Sequence, residues 1–238
     1  MSQFKLHAFY KFVDLPDYEE LKPQLLCLMK KWNVLGTIIL APEGLNGTIC
    51  ALPENLNDFW QEFTEDTRWH DMRFNVTYAS MQCFQKMKIK LRQEIVSMGI
   101  LSVKADEHDE SHVDAQTWNQ IIQNPETLVI DTRNDYEYEL GTFQNAMNPR
   151  TDNFRQFPQY VQKELMDYKD KPIAMFCTGG VRCEKSTQYL KSLGFKKVYQ
   201  LHGGILGYLQ NTPAEHSLWN GKCFVFDDRE TLEQKDCL

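Results

Sequence analysis

No stretch of this 238-residue chain stays apolar for the about 20 residues that a membrane-spanning helix needs. Its opening, Met1-Ser2-Gln3-Phe4-Lys5, does not read as a signal peptide. Basic charge is in deficit: 26 Lys and Arg stand against 33 Asp and Glu, a formal net charge of −7. That balance gives no global attraction to nucleic acid, so any such contact must come from a local patch. Flavin fingerprints are missing, and no set of two histidines and a carboxylate suggests mononuclear iron. His108 and His112 lie among acids at a spacing that matches no ligand motif, so a solvated connector is expected there. The seven cysteines are scattered without the spacing of a disulfide framework, which points to a reducing, cytoplasmic compartment. The sequence calls for no cofactor, no metal, no membrane and no protein partner.

What is present is concentrated in one segment, Cys177-Thr178-Gly179-Gly180-Val181-Arg182-Cys183-Glu184-Lys185. The β-rich run Ile173-Ala174-Met175-Phe176 delivers Cys177 at its end, and a helical pattern follows until Gly194 closes it. A strand, a glycine turn and a helix start surround a sulfur with backbone N–H groups and the positive end of a helix dipole. Both lower a thiol pKa. Thr178, Gly179, Gly180 and Val181 form the anion-cradling turn, and Arg182 adds a fixed positive charge. Arg182 is expected to point into the pocket, so that Arg182→Ala damages activity with little loss of fold. Cys183 lies about one turn into the helix. It either resolves an oxidised Cys177, which requires the helix start to bend, or packs against the sheet.

The chain divides into two halves. Residues 1–98 read as strand, helix, two strands, helix, strand: Leu6–Phe12, Tyr18–Lys31, Val34–Leu40, Thr48–Leu52, Asn55–Phe63 (capped by Asn55 or Asn57) and Arg73–Tyr78. That is the split βαβ order of a ferredoxin-like, acylphosphatase-like α+β domain. Residues 99–112 read as a linker, residues 113–215 as a second domain and 216–238 as a C-terminal extension. In the second domain, helices at Ala115–Ile122 (capped by Asp114) and Tyr160–Tyr168 alternate with strands at Leu128–Ile130, Ile173–Phe176 and Val198–Leu201. The alternation implies a parallel sheet covered by helices. Ligands in such sheets sit beyond the carboxyl ends of strands, where Cys177, Asp131 and Arg133 all fall. The latter two are candidate supports for the site.

One local basic patch exists. Lys86, Lys88, Lys90 and Arg92 alternate with Met87, Ile89 and Leu91, which in an extended chain puts four cations on one face. Residues 1–98 hold 11 basic and 12 acidic side chains, so the acid excess lies in the second half. The stripe is either an ordinary solvated face or a track for phosphates.

Asp131-Thr132-Arg133-Asn134-Asp135-Tyr136-Glu137-Tyr138, the Cys177–Arg182 loop and Leu201-His202-Gly203-Gly204-Ile205 resemble the successive signatures of a rhodanese domain. Gly141-Thr142-Phe143 departs from the Gly-His-Ile run common there. Together with Ala41-Pro42-Glu43-Gly44-Leu45-Asn46-Gly47-Thr48 and Gly221-Lys222-Cys223-Phe224-Val225-Phe226-Asp227-Asp228-Arg229, these segments look like the bacterial rhodanese-related tRNA uridine hydroxylases. The resemblance implies a persulfide-type cysteine at Cys177, tRNA as partner and dioxygen as co-substrate. It also implies hydroxylation of the wobble uridine to 5-hydroxyuridine. Longer members carry paired cysteines past the Phe-Asp-Asp-Arg segment; here Cys237 precedes only Leu238, so no structural zinc is expected. A sulfurtransferase carrying sulfane sulfur on Cys177 and a non-catalytic rhodanese binding module stay open as alternatives.

Overall fold

The computed structural model describes residues 3–237. These divide into two compact units, residues 3–95 with 226–230 and 237, and residues 96–225 with 231–236.

In the first unit β1 (Phe4–Phe12), α1 (Tyr18–Lys31), β2 (Leu35–Ala41), β3 (Gly44–Ala51), α2 (Pro53–Phe63) and β4 (Arg73–Ala79) follow the split βαβ order. A fifth strand, β5 (Met87–Leu91), extends the sheet to β4-β1-β3-β2-β5 by pairing parallel to β2. The alternation along β5 explains its placement. Ile89 is buried and Met87 and Leu91 pack against the core shared with Leu25, Met29, Phe59 and Trp69. Neither Asn55 nor Asn57 caps α2. The cap is Leu52 and Pro53 is the first helical residue, where proline's missing N–H and fixed φ cost nothing.

The second unit holds β6 (His112–Val113), α3 (Ala115–Gln123), β7 (Leu128–Asp131), α4 (Asp135–Tyr138), β8 (Gly141–Phe143) and α5 (Phe157–Tyr160). It continues with β9 (Pro172–Phe176), α6 (Val181–Ser192), β10 (Lys197–Leu201) and α7 (Gly204–Asn211). Two antiparallel pairs complete it, β11 (Trp219–Gly221) with β8 and β12 (Cys223–Phe224) with β13 (Thr231–Leu232). The sheet β6-β10-β9-β7 is parallel throughout. Along β9 the residues alternate between two apolar layers. Ile173 and Met175 join Val161, Leu165 and Leu190, while Phe176 joins Trp118, Phe143 and Trp219 in edge-to-face contacts. Asp114 caps α3 by accepting the Thr117 N–H at 2.7 Å.

Three further sequence readings need correction. The helix expected over Tyr160–Tyr168 is a composite: α5 passes into a π turn at Val161–Leu165 and a 3-10 turn at Met166–Tyr168. Phe157, Val161 and Leu165 are all buried, and their spacing of four keeps one face inward through the wider turn. The stretch read as a solvated connector is laid along the second unit. Ile100 and Val103 pack against its core, Ser111 is buried, and Asp109 pairs with Lys191 at 2.6 Å. Finally, the C-terminal extension is shared: Phe226–Glu230 belongs to the first unit, where Arg229 donates to Thr77 and pairs with buried Asp227. Among the described residues no helix is long and apolar enough to cross a membrane.

Candidate active site

β9 ends at Phe176, and the chain then turns through Cys177–Gly180 into α6. Gly180 caps the helix at φ 106°, a conformation that disfavours any side chain. Its N–H donates to the Cys177 sulfur at 3.1 Å. The turn is pinned from behind by α7, where Ile205 donates to the Cys177 carbonyl at 2.9 Å and Leu206 to that of Thr178 at 3.0 Å. Gly204 is required at that junction. A Cβ there would lie 2.5 Å from the Cys177 carbonyl oxygen and 2.7 Å from the Gly180 nitrogen.

Cys177 has no exposed surface. Burial by itself would push its thiol pKa up. The Cys183 thiol, the Arg182 charge and the backbone N–H groups of Arg182 and Cys183 outweigh that, and bring it down to about 6. The sulfur is therefore an anion at neutral pH, held by a ring of donors. Cys183 moves the other way: burial and the neighbouring Cys177 sulfur raise its pKa well above the ordinary thiol value. It stays a thiol and a donor, with its sulfur also 3.7 Å from Thr132 Oγ1. No bend of the helix start is needed for the two sulfurs to meet, because Cys183 sits in the first turn of a helix that starts beside Cys177.

Arg182 does not point freely into a pocket. Its Nη1 and Nη2 donate to the two oxygens of Glu137 at 2.7 and 2.8 Å, and Nη2 also reaches Thr178 Oγ1 at 3.3 Å. Glu137 is fully buried and accepts the backbone N–H of Asn134 at 3.1 Å. Burial pushes its carboxyl pKa up, but the Arg182 charge and hydrogen bonds hold it below the usual value. Glu137 is the member of the site that motif reading passed over. It stands inside the Asp131–Tyr138 signature, three residues after Asn134, where an acid at the first turn of a helix is a visible capping signal.

Asp131 and Arg133 are brought to the strand end, where they hydrogen-bond each other. Both are wholly buried and pair at 2.6 Å. Arg133 also donates to the Gly141 carbonyl and lies 5.2 Å from the Trp219 ring, while Thr142 donates to Asp131 at 3.1 Å. They fasten the β8–β11 pair, and Asp131 reaches Arg182 through its charge alone. Behind α6, Glu184 accepts from His112 at 2.9 Å and from Gln200 at 3.4 Å.

In the first unit the basic stripe is laid out as its alternation suggests. Lys86, Lys88 and Arg92 are exposed and Lys90 is half-buried, all opposite the core-facing Ile89. Partial burial, then Lys88 and Arg92, lower the Lys90 pKa, which is what crowding of like charges on one face produces.

Comparison with known proteins places names on both units. Residues 4–95 match the UPF0176 acylphosphatase-like domain and residues 114–211 the rhodanese-like domain. The chain is 52% identical over 235 residues to a tRNA uridine(34) hydroxylase of Legionella pneumophila strain Corby, covering 99% of this chain and 92% of that protein. It is 51% identical, with the same coverage, to the protein of that name from strain Paris. A solution structure of a rhodanese-like domain from Anabaena aligns with 48% of the chain and 80% of that domain, at 21% identity and a TM-score of 0.39.

Proposed function

The chain belongs to the tRNA uridine(34) hydroxylase family, and from that premise we propose that it converts the wobble uridine of tRNA to 5-hydroxyuridine, with Cys177 as its reactive group. The observation that carries the reading is the Cys177 sulfur at the start of α6, accepting the Gly180 N–H at 3.1 Å, in a chain whose match to its relatives covers 99% of its length. A thiolate adds to C6 of a uracil ring and makes C5 electron-rich, open to oxidation. The oxygen atom at C5 then derives from dioxygen as co-substrate. Two electrons and two protons from an external reductant take the second oxygen atom to water, and loss of the C5 proton with expulsion of the thiolate restores the ring.

Cys177 has no exposed surface, so a uridine reaches it only when the Cys177–Arg182 loop opens. The same closed cradle also suits a stored persulfide, which favours sulfur transfer as a second reading. Because both readings use Cys177, cyanolysis alone does not separate them; sulfur delivered from the purified protein to an acceptor, with wobble 5-hydroxyuridine unchanged in cells lacking the gene, would favour the second. Lys86, Lys88, Lys90 and Arg92 supply the phosphate contacts that an acidic chain needs for tRNA. Replacing Lys86 and Lys88 by alanine flattens the salt dependence of tRNA binding by roughly 0.7–0.9 in log–log slope for each phosphate no longer neutralised, and an unchanged slope assigns the stripe to solvent. A tRNA substrate and a reduced reactive thiol both suit the cytoplasm. The decisive experiment is nucleoside mass spectrometry of tRNA from cells with and without the gene. Wobble 5-hydroxyuridine and its derivatives disappear with the gene; unchanged levels dispose of the proposal.

A further inference from the structure

We propose that the first unit carries a subsite for one unpaired base of the RNA, in the cavity between α2 and the β1–β4 edge of its sheet. The inference rests on the tRNA reading above. The cavity is of about 460 Å³ and is lined by Lys5, His7, Asn57, Trp60, Gln61 and Phe74 among others. Its charge sets it apart. The groove between α1 and α2 carries Glu62, Glu65 and Asp66, and the hollow beside α4 carries Asp135, Glu139 and Asp152. The residues lining this cavity include no carboxylate. An anionic nucleotide is repelled by the first two and tolerated by the third, where Lys5 offers a cation.

The chemistry of the walls is that of base recognition. The His7 ring stacks at 4.7 Å on Phe74 and at 6.0 Å on Trp60, and Trp60 and Phe74 lie 4.4 Å apart. Flat aromatic surfaces bind bases of any identity, because every base has a π-face. His7 is 5% exposed, yet neither of its ring nitrogens finds a hydrogen-bond partner, and Trp60 Nε1 finds none either. Buried polar groups are ordinarily satisfied, and an orphan costs free energy that a ligand can return. Burial, then Lys5, bring the His7 pKa down to about 4, so the ring is neutral and offers one N–H and one lone pair. A base edge presents the complementary acceptor and donor. Asn57 and Gln61, both exposed on α2, stand at the opening with amide groups of the same kind. Occupation requires the imidazole to turn toward that opening, since its nitrogens are hidden without a ligand.

His7→Phe in the full chain tests this, because binding and packing roles predict opposite combinations. Phenylalanine keeps the stacking and removes both orphaned nitrogens, so the melting temperature holds or rises. Affinity for tRNA, and for a single-stranded oligonucleotide of the anticodon-loop sequence, falls about five- to tenfold with an unchanged salt slope, since the same phosphates stay neutralised. Gln61→Ala, at an exposed position that cannot compromise folding, weakens the same binding by about threefold. If both variants bind like wild type while wild type binds RNA, His7 is a packing residue and the proposal fails with the tRNA reading intact. If wild type binds neither RNA, both fall together.

Discussion

Two buried cysteines in this protein have almost the same neighbours and opposite chemistry. Cys177 lies beside a second cysteine and a buried, carboxylate-paired arginine, and its pKa is brought down to about 6. Cys50 lies beside Cys83 and within the field of Arg229, itself paired with Asp227, and burial pushes it up to about 12. An arginine in reach is therefore not sufficient to lower a thiol pKa here, because both sites have one and both arginines are paired with carboxylates. What Cys177 has besides an arginine charge is a larger number of donors aimed at the sulfur. Cys177 receives hydrogen bonds from the N–H groups of the turn and helix start and from the Cys183 thiol. Cys50, in the middle of an antiparallel ladder whose N–H groups are committed to neighbouring strands, receives the single backbone donor of Cys83. A helix N-terminus has N–H groups to spare; a central strand does not.

The contrast is broken most directly by removing each thiol. Cys177→Ser abolishes hydroxylation, a loss of at least about 10³-fold for a nucleophile, while Cys50→Ser leaves the rate per folded molecule near wild type. Equal losses in the two variants would erase the distinction. Next in size is the ion pair behind the loop. Arg182→Ala strands Glu137 in the interior and costs about 3–5 kcal/mol in denaturant unfolding. Adding Glu137→Gln to it recovers most of that stability without recovering activity. This replaces the sequence-based expectation that Arg182→Ala spares the fold, and an Arg182→Ala variant as stable as wild type would restore it.

The pH dependence of stability has opposite sign at the two sites. Cys177 titrates lower folded than unfolded. Its contribution is complete above the ordinary thiol pKa near 9 and is lost as pH falls through 6, so stability rises with pH across that window. Cys50 titrates higher folded than unfolded, so its contribution is complete below about 9 and is lost as pH rises toward 12. Chemical denaturation as a function of pH, compared with Cys177→Ala and Cys50→Ala, should show each slope vanish with its own thiol; a slope that survives its substitution belongs to another group. The smallest effect is at Cys183. Cys183→Ala removes one donor and raises the midpoint of Cys177 alkylation by about one pH unit, whereas Cys183→Ser keeps an O–H and moves it less. Equal midpoints in all three proteins would return Cys183 to a packing role.

Much of this was readable without coordinates wherever the signal is short-range. The alternation from Lys86 to Arg92 predicts which side chains of β5 face the core, because pleating is a property of neighbouring residues. The Cys177–Arg182 turn reads correctly as a strand-to-helix junction, since two glycines and a helical period need no distant partner. Less was legible where local chemistry offers equivalent choices. Asn55 and Asn57 are good caps, yet Pro53 starts α2 earlier. The acidic run before His112 looks solvated, yet Asp109 is drawn to Lys191, 82 residues away.

By itself the sequence determined the order of the main strands and helices, the two-part organisation and the strand-to-helix junction that holds Cys177. Each is written in periods of two or 3.6 residues and in the φ that glycine permits. Only the tertiary structure decided that Arg182 answers to Glu137 across 45 residues of chain, that Phe226–Glu230 returns to the first unit, and that one buried cysteine is an anion and the other a thiol. Those outcomes depend on how much water is removed and on which donors and charges converge at a point, and neither quantity is a property of any stretch of sequence.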